Sequence, residues 1–167
     1  INIENVMGYN FGKRLIKSHA SNVCVRNVIG NSPEGDSLGL VGFLNAQGQG
    51  EKYGCIAENC HATGKMEAAF SASTPEITYR NISATVTPGT KTGMSSAGVG
   101  LMVLNSNCLV DGYVSGSERD IGIGSDTVII KNTRLKNVTL NITNNKVTFS
   151  GIYDLSSSIG LDGLLID

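Results

Sequence analysis

A six-residue unit recurs seven times along this chain and limits the folds open to it. It occupies residues 1–6, 23–28, 55–60, 77–82, 108–113, 128–133 and 147–152. Take the fifth residue of each unit as a reference. The positions four and two before it are apolar in every copy, as in Ile1 and Ile3, Val23 and Val25, or Val128 and Ile130. The position immediately before it is polar and mostly charged: Glu4, Arg26, Glu58, Arg80, Asp111, Lys131 and Ser150. Alternation with a period of two marks a short strand with one buried face. The reference residue itself is Asn5, Asn27, Asn59, Asn81, Gly112, Asn132 or Gly151. Asn and Gly tolerate a left-handed backbone, so each strand meets a tight bend at a fixed place.

Successive bends are about 20 residues apart, with two intervals about ten residues longer. A repeat of this length, built of short strands and a bend, is the signature of a solenoid. No single repeat can bury its own apolar residues, and stacking neighbours about 4.8 Å apart makes one continuous core. The chain therefore reads as an all-β solenoid of about seven coils spanning residues 1–167 as one domain. Each coil is expected to carry three short strands, and no stretch has helical periodicity. The two longer coils place loops at 31–37 and 88–96, and such inserts commonly lie on a binding face. Both ends of the chain fall on the repeat, which reads as a piece of a longer solenoid. Outward apolar residues three before the bend, Ile56, Leu109 and Ile129, form a column with Cys24 that would line a contact between copies.

A net charge of −1 with no basic run disfavours binding to nucleic-acid phosphates. No apolar run is long enough to insert across a bilayer. The four cysteines include no Cys-x-x-Cys pair, so zinc and redox sites are not expected. Cys55, Cys60 and Cys108 fall at buried repeat positions and read as reduced thiols, suited to folding in a reducing cytosol.

The recurring apolar-x-apolar-x-Asn-apolar unit resembles the right-handed parallel β-helices of the pectin-lyase-like superfamily, over essentially the whole chain. The resemblance implies three parallel sheets, with the Asn bend between the second and third strands and the Asn side chains stacked as a ladder of amides. That superfamily includes pectate lyases, pectin hydrolases, alginate epimerases and bacteriophage tailspikes. Irregular coil lengths, few charges and free cysteines look most like a tailspike. This implies a homotrimer on a virion tail that binds, and often cleaves, a bacterial surface polysaccharide. The alternatives are a non-catalytic adhesin or shaft, and a secreted lyase or epimerase outside the cell.

Polysaccharide hydrolysis needs two carboxylates on one groove, one protonated and one ionised. Glu67, alternating with Met66 and Ala68, and Asp120, preceding Ile121, are both expected to point outward. One coil lies between theirs, so in-line stacking would separate them by about 10 Å, near the upper end for an inverting glycosidase. Asp126, in the following turn, is a third catalytic candidate. Asn45, Gln47 and Tyr53 offer amides and a ring for sugar binding. His19 and His61 lie in different parts of the coil and are not expected to meet. A lyase would recruit Lys17, Lys65 or Arg119 as base, but no cluster of aspartates accompanies them. No metal or cofactor is expected.

Overall fold

Strand pairing follows the repeat. The computed structural model describes residues 1–45, 52–89, 98–103, 107–117, 119–123, 127–135, 138–140, 146–153 and 164–166, and beyond Thr133 the backbone alone. Strands are the only regular elements among the described residues, fourteen in all. One set is long: β1 (Asn2–Tyr9), β3 (Cys24–Ser37), β5 (Ile56–Met66), β7 (Ile77–Thr87), β9 (Cys108–Ser115), β11 (Thr127–Leu135) and β13 (Lys146–Tyr153). The other set is short: β2 (Arg14–Ser18), β4 (Gly39–Phe43), β6 (Ala68–Ala72), β8 (Val99–Val103), β10 (Arg119–Ile123) and β12 (Val138–Leu140). The long strands, followed by β14 (Leu164–Ile166), form an eight-stranded sheet, and the short ones form a six-stranded sheet. Every pairing is parallel, and each strand pairs with the equivalent strand of the next repeat.

The register keeps each repeat position in one column. Ile3, Val25, Ala57, Tyr79, Val110 and Ile130 stack in order. All but Ile3 are completely buried. Opposite them, Ile16, Val41, Phe70, Leu101 and Ile121 of the six-stranded sheet enter the same core. Aromatic rings fill the middle, where Tyr79 meets Phe70 edge-on at 5.8 Å between centroids.

The expected bends are present as left-handed residues: Asn5, Asn27, Asn59 and Asn81 at φ of 59°, 53°, 53° and 48°, and Gly112 at 75°. Their amides form the expected ladder. Asn27 Nδ2 donates to Asn5 Oδ1 at 3.1 Å, Asn59 to Asn27 at 3.3 Å, and Asn81 to Asn59 at 2.7 Å. Around Asn132 and Gly151 the pairing of β11 with β13 shifts register. The expectation of three separate strands per repeat needs correction. The bend turns the chain without ending its pairing, so the two predicted strands on either side of it are one long strand.

All four cysteines are free thiols. Burial pushes the Cys60 thiol up to about 11 and raises Cys55 and Cys108 as well. The Tyr79 hydroxyl is buried in the same core and makes no hydrogen bond among the described residues. An unsatisfied buried hydroxyl costs about 1–3 kcal/mol. Tyr79→Phe is therefore expected to leave stability unchanged or raise it by about 1 kcal/mol. Tyr113→Phe should lose about 1–3 kcal/mol, because the Tyr113 hydroxyl donates to the Asp120 carbonyl at 2.6 Å. Chemical denaturation of the two variants side by side checks the opposite signs.

Candidate functional site on the outer side of the six-stranded sheet

The corners between long and short strands are tied from one repeat to the next. The Ser37 hydroxyl donates to the Lys13 carbonyl at 2.9 Å and accepts from the Gly39 N–H at 2.9 Å. The Glu67 N–H donates to the Ser37 carbonyl, and the Val99 N–H to the Glu67 carbonyl, each at 2.9 Å. Glu67 is thus held on both sides by backbone. It sits at the corner between β5 and β6 rather than within a strand, which is why alternation misjudged its surroundings.

Two successive residues are buried near the start of β4, β6 and β10. Leu40 with Val41, Ala69 with Phe70, and Asp120 with Ile121 are all 0% exposed. The side chains left on the other face are small in the middle repeats. Ala68 and Val99 form a separate small cluster with Met102, away from the main core. Gly39 has φ of +148°, and a Cβ there would collide with the Ala68 carbonyl. At Gly42 a Cβ would stand 2.6 Å from Arg14 Cδ and 2.8 Å from Arg14 Nε. This gap lets Arg14 lie across the second repeat, and its Nε donates to Ser71 Oγ of the third at 3.4 Å.

Glu67 is 7% exposed, and its Oε2 has no hydrogen-bond partner among the described residues. Burial raises the pKa of this carboxyl above its ordinary range, and the Arg14 charge opposes the rise. Arg14 is lowered by its own burial, with Glu67 acting the other way. The two feel each other's charge without forming an ion pair, since the ion pairs among the described residues join only Glu4, Arg26, Glu58 and Arg80. A desolvated carboxyl that keeps its proton to higher pH is suited to donating it.

The other predicted residues are not gathered there. Asp120 was expected on the solvent side but is completely buried, near the Tyr113 phenol. Nor does it stack in line with Glu67. Ala68, Val99 and Arg119 share one row, with Glu67 one residue before it and Asp120 one after. Asn45 lies past the far end of β4, roughly 20 Å along the strands from the Glu67 corner at about 3.3 Å per residue. Its amide is engaged there, Nδ2 donating to the Ser73 carbonyl at 2.9 Å and Oδ1 accepting from the Lys52 N–H at 3.4 Å. Tyr53 is exposed, with its backbone tied to Ser21 and Asn22. Asp126 and Gln47 lie outside the described residues.

The histidines are apart. His19 Nδ1 meets the Leu44 carbonyl at 2.7 Å, and His61 Nδ1 meets Ser83 Oγ at 2.8 Å on the eight-stranded sheet. Sequence reasoning missed Arg14, whose role depends on a glycine in the next repeat. It also missed Asp36, which precedes Ser37 at the same corner with φ of +47°. The Gly35-Asp36-Ser37 turn was the available signal. On the eight-stranded sheet, a depression of about 250 Å³ is lined by Ile77, Thr78, Cys108, Leu109 and Ile129 among others. It takes in two members of the predicted contact column. No protein-family model matches this chain, no curated protein matches it, and no solved structure matches it.

Proposed function

We propose that this chain folds as a right-handed parallel β-helix of the tailspike type. The outer side of its six-stranded sheet binds a bacterial surface polysaccharide, and Glu67 acts as proton donor in its hydrolysis. The observation that carries this reading is the buried Glu67 carboxyl, with one oxygen unsatisfied, beside Arg14 and a floor of small residues. A glycosidic oxygen would satisfy that oxygen and take its proton. Asp36, one residue before Ser37 at this corner, is the carboxylate proposed for the second role. The homotrimer belongs to the same proposal, with Ile56, Leu109 and Ile129 against neighbouring copies. The apolar depression at Leu109 and Ile129 supports it. The virion tail is the proposed location, with folding in the host cytosol suggested by the free thiols.

One observation favours a second reading. The burial of Asp120 removes the predicted in-line partner of Glu67, as a non-catalytic adhesin or shaft would allow. Incubating the protein with surface polysaccharides from a panel of bacteria, and measuring reducing ends, decides between them. Release from one polysaccharide is the expected result. Binding to cells without release establishes the adhesin. A product absorbing in the near ultraviolet, formed only with calcium, would assign a lyase instead.

A further inference from the structure

The residues immediately before the bends form one column along the eight-stranded sheet, exposed or half-buried, and their charges alternate in sign. The register stacks Glu4 on Arg26, Arg26 on Glu58, Glu58 on Arg80, Arg80 on Asp111, and Asp111 on Lys131. Arg26 reaches both neighbours, its Nη1 meeting Glu4 Oε1 at 3.3 Å and its Nε meeting Glu58 Oε2 at 3.0 Å. Arg80 Nη1 meets the other oxygen of Glu58 at 3.5 Å. The paired side chains are 23–50% exposed, and ion pairs open to solvent in this way contribute little to stability individually. Their order along the column carries information that their strength does not.

Everything else in the unit is nearly the same from repeat to repeat. The inward columns before the bend are apolar among the described residues, and the first four bends are Asn. A strand could pair with the strand two repeats away and still bury its apolar face and continue the amide ladder. Loop-closure entropy discriminates weakly against this, because its cost rises slowly with length. Repeat arrays also nucleate at any point and grow by nearest-neighbour stacking, so a wrong neighbour is propagated. The charged column distinguishes each repeat from the next by sign. Every adjacent pair is opposite in sign. Skipping one repeat would set Glu4 on Glu58, Arg26 on Arg80, Glu58 on Asp111 and Arg80 on Lys131, like on like in each case. Like charges directly opposite across a strand pair are destabilising.

We infer that the alternating column Glu4–Arg26–Glu58–Arg80–Asp111–Lys131 selects nearest-neighbour stacking of the repeats during folding. It does so by penalising the pairing of any repeat with the one beyond its neighbour. The inference is independent of the glycan reading, since none of these residues belongs to the Glu67 corner.

The test is a swap that preserves composition and net charge. Arg26→Glu combined with Glu58→Arg gives like charges at 4/26 and 58/80, and opposite charges at the skipped pairs 4/58, 26/80 and 58/111. The control, Arg26→Gln with Glu58→Gln, removes all three ion pairs, including the 26/58 pair that the swap keeps in reversed order, without rewarding a skip. Each protein is diluted from denaturant, and the soluble fraction with wild-type elution and far-ultraviolet spectrum is measured. At low ionic strength the swap is expected to recover several-fold less native protein than the control. Near 1 M salt, where the screening length is about 3 Å, the deficit should largely disappear. A third variant inverts the whole column: Glu4→Arg, Arg26→Glu, Glu58→Arg, Arg80→Glu, Asp111→Lys and Lys131→Asp. Alternation is kept, and refolding should match wild type to within about twofold, well inside the roughly 5- to 30-fold that 1–2 kcal/mol represents. Equal yields for swap and control at low salt overturn the inference. So does an inverted column that refolds as poorly as the swap, which also covers a swap that does not fold at any salt concentration.

Discussion

On the proposed role, glutamine in place of Glu67 is expected to slow polysaccharide cleavage by about 10²–10⁴-fold, the usual contribution of a positioned general acid, while binding changes little. The amide keeps the size and polarity of the side chain and loses the transferable proton. The pH dependence follows from the same burial. The Glu67 carboxyl titrates above its ordinary value near 4.5 because it is desolvated, with Arg14 limiting the shift. Cleavage by the wild type should therefore fall as pH rises through that raised value, as the acid is lost. Stability moves in the same direction: the folded state holds a proton that the unfolded chain releases, so stability declines as pH rises from about 4.5 through the folded value. Glu67→Gln removes that decline and should gain on the wild type across the window. Arg14→Gln, which takes away the opposing charge, should move the window upward. Measuring kcat/KM and denaturation midpoints across pH tests both limbs. Less than a tenfold loss in cleavage by the glutamine variant would remove Glu67 from the acid role.

Asn59→Ala is expected to be among the most damaging single changes on the surface, at about 2–3 kcal/mol. Asn59 sits at φ of +53°, with an amide on either side of its own. Alanine in a left-handed conformation costs about 1–2 kcal/mol, and two amide hydrogen bonds add roughly 0.5–1.5 kcal/mol each, less where they are open to water. Asn59→Gly separates the contributions, since glycine accepts the bend and loses only the amides. The alanine variant should unfold at lower denaturant than the glycine variant, and the glycine variant at lower denaturant than wild type. An alanine variant within about 0.5 kcal/mol of wild type, the ordinary range for surface substitutions, would mean that the backbone at this bend is fixed by its neighbours instead.

The columns were legible in the sequence because every repeat makes the same demand at the same place. Val25, Ala57, Tyr79 and Val110 occupy equivalent sites in one core, and Asn27, Asn59 and Asn81 occupy equivalent bends. The corners make no such demand. Glu67 stands where the chain passes from one sheet to the other, and the period of two has no meaning there. Asp120 was assigned to the solvent by counting back from Ile121. β4, β6 and β10 have two buried residues in succession near their start, however, so the count was one place out. Leu40-Val41 and Ala69-Phe70 show the same step as adjacent apolar pairs in the sequence. Arg14 was hidden for another reason: its placement depends on the side chain missing from Gly42 in the next repeat. The alternation of charge required only that the repeats be written under one another.

Because every sheet hydrogen bond joins one repeat to the next, the repeats respond to a pull along the stacking direction as springs in series, and the stack is as strong as its weakest joint. The amide ladder ties the first three joints across the bend column. At the joint between β7 and β9, Gly112 presents no side chain to Asn81. There the bend column adds no amide hydrogen bond, so this joint lacks the tie that the first three share.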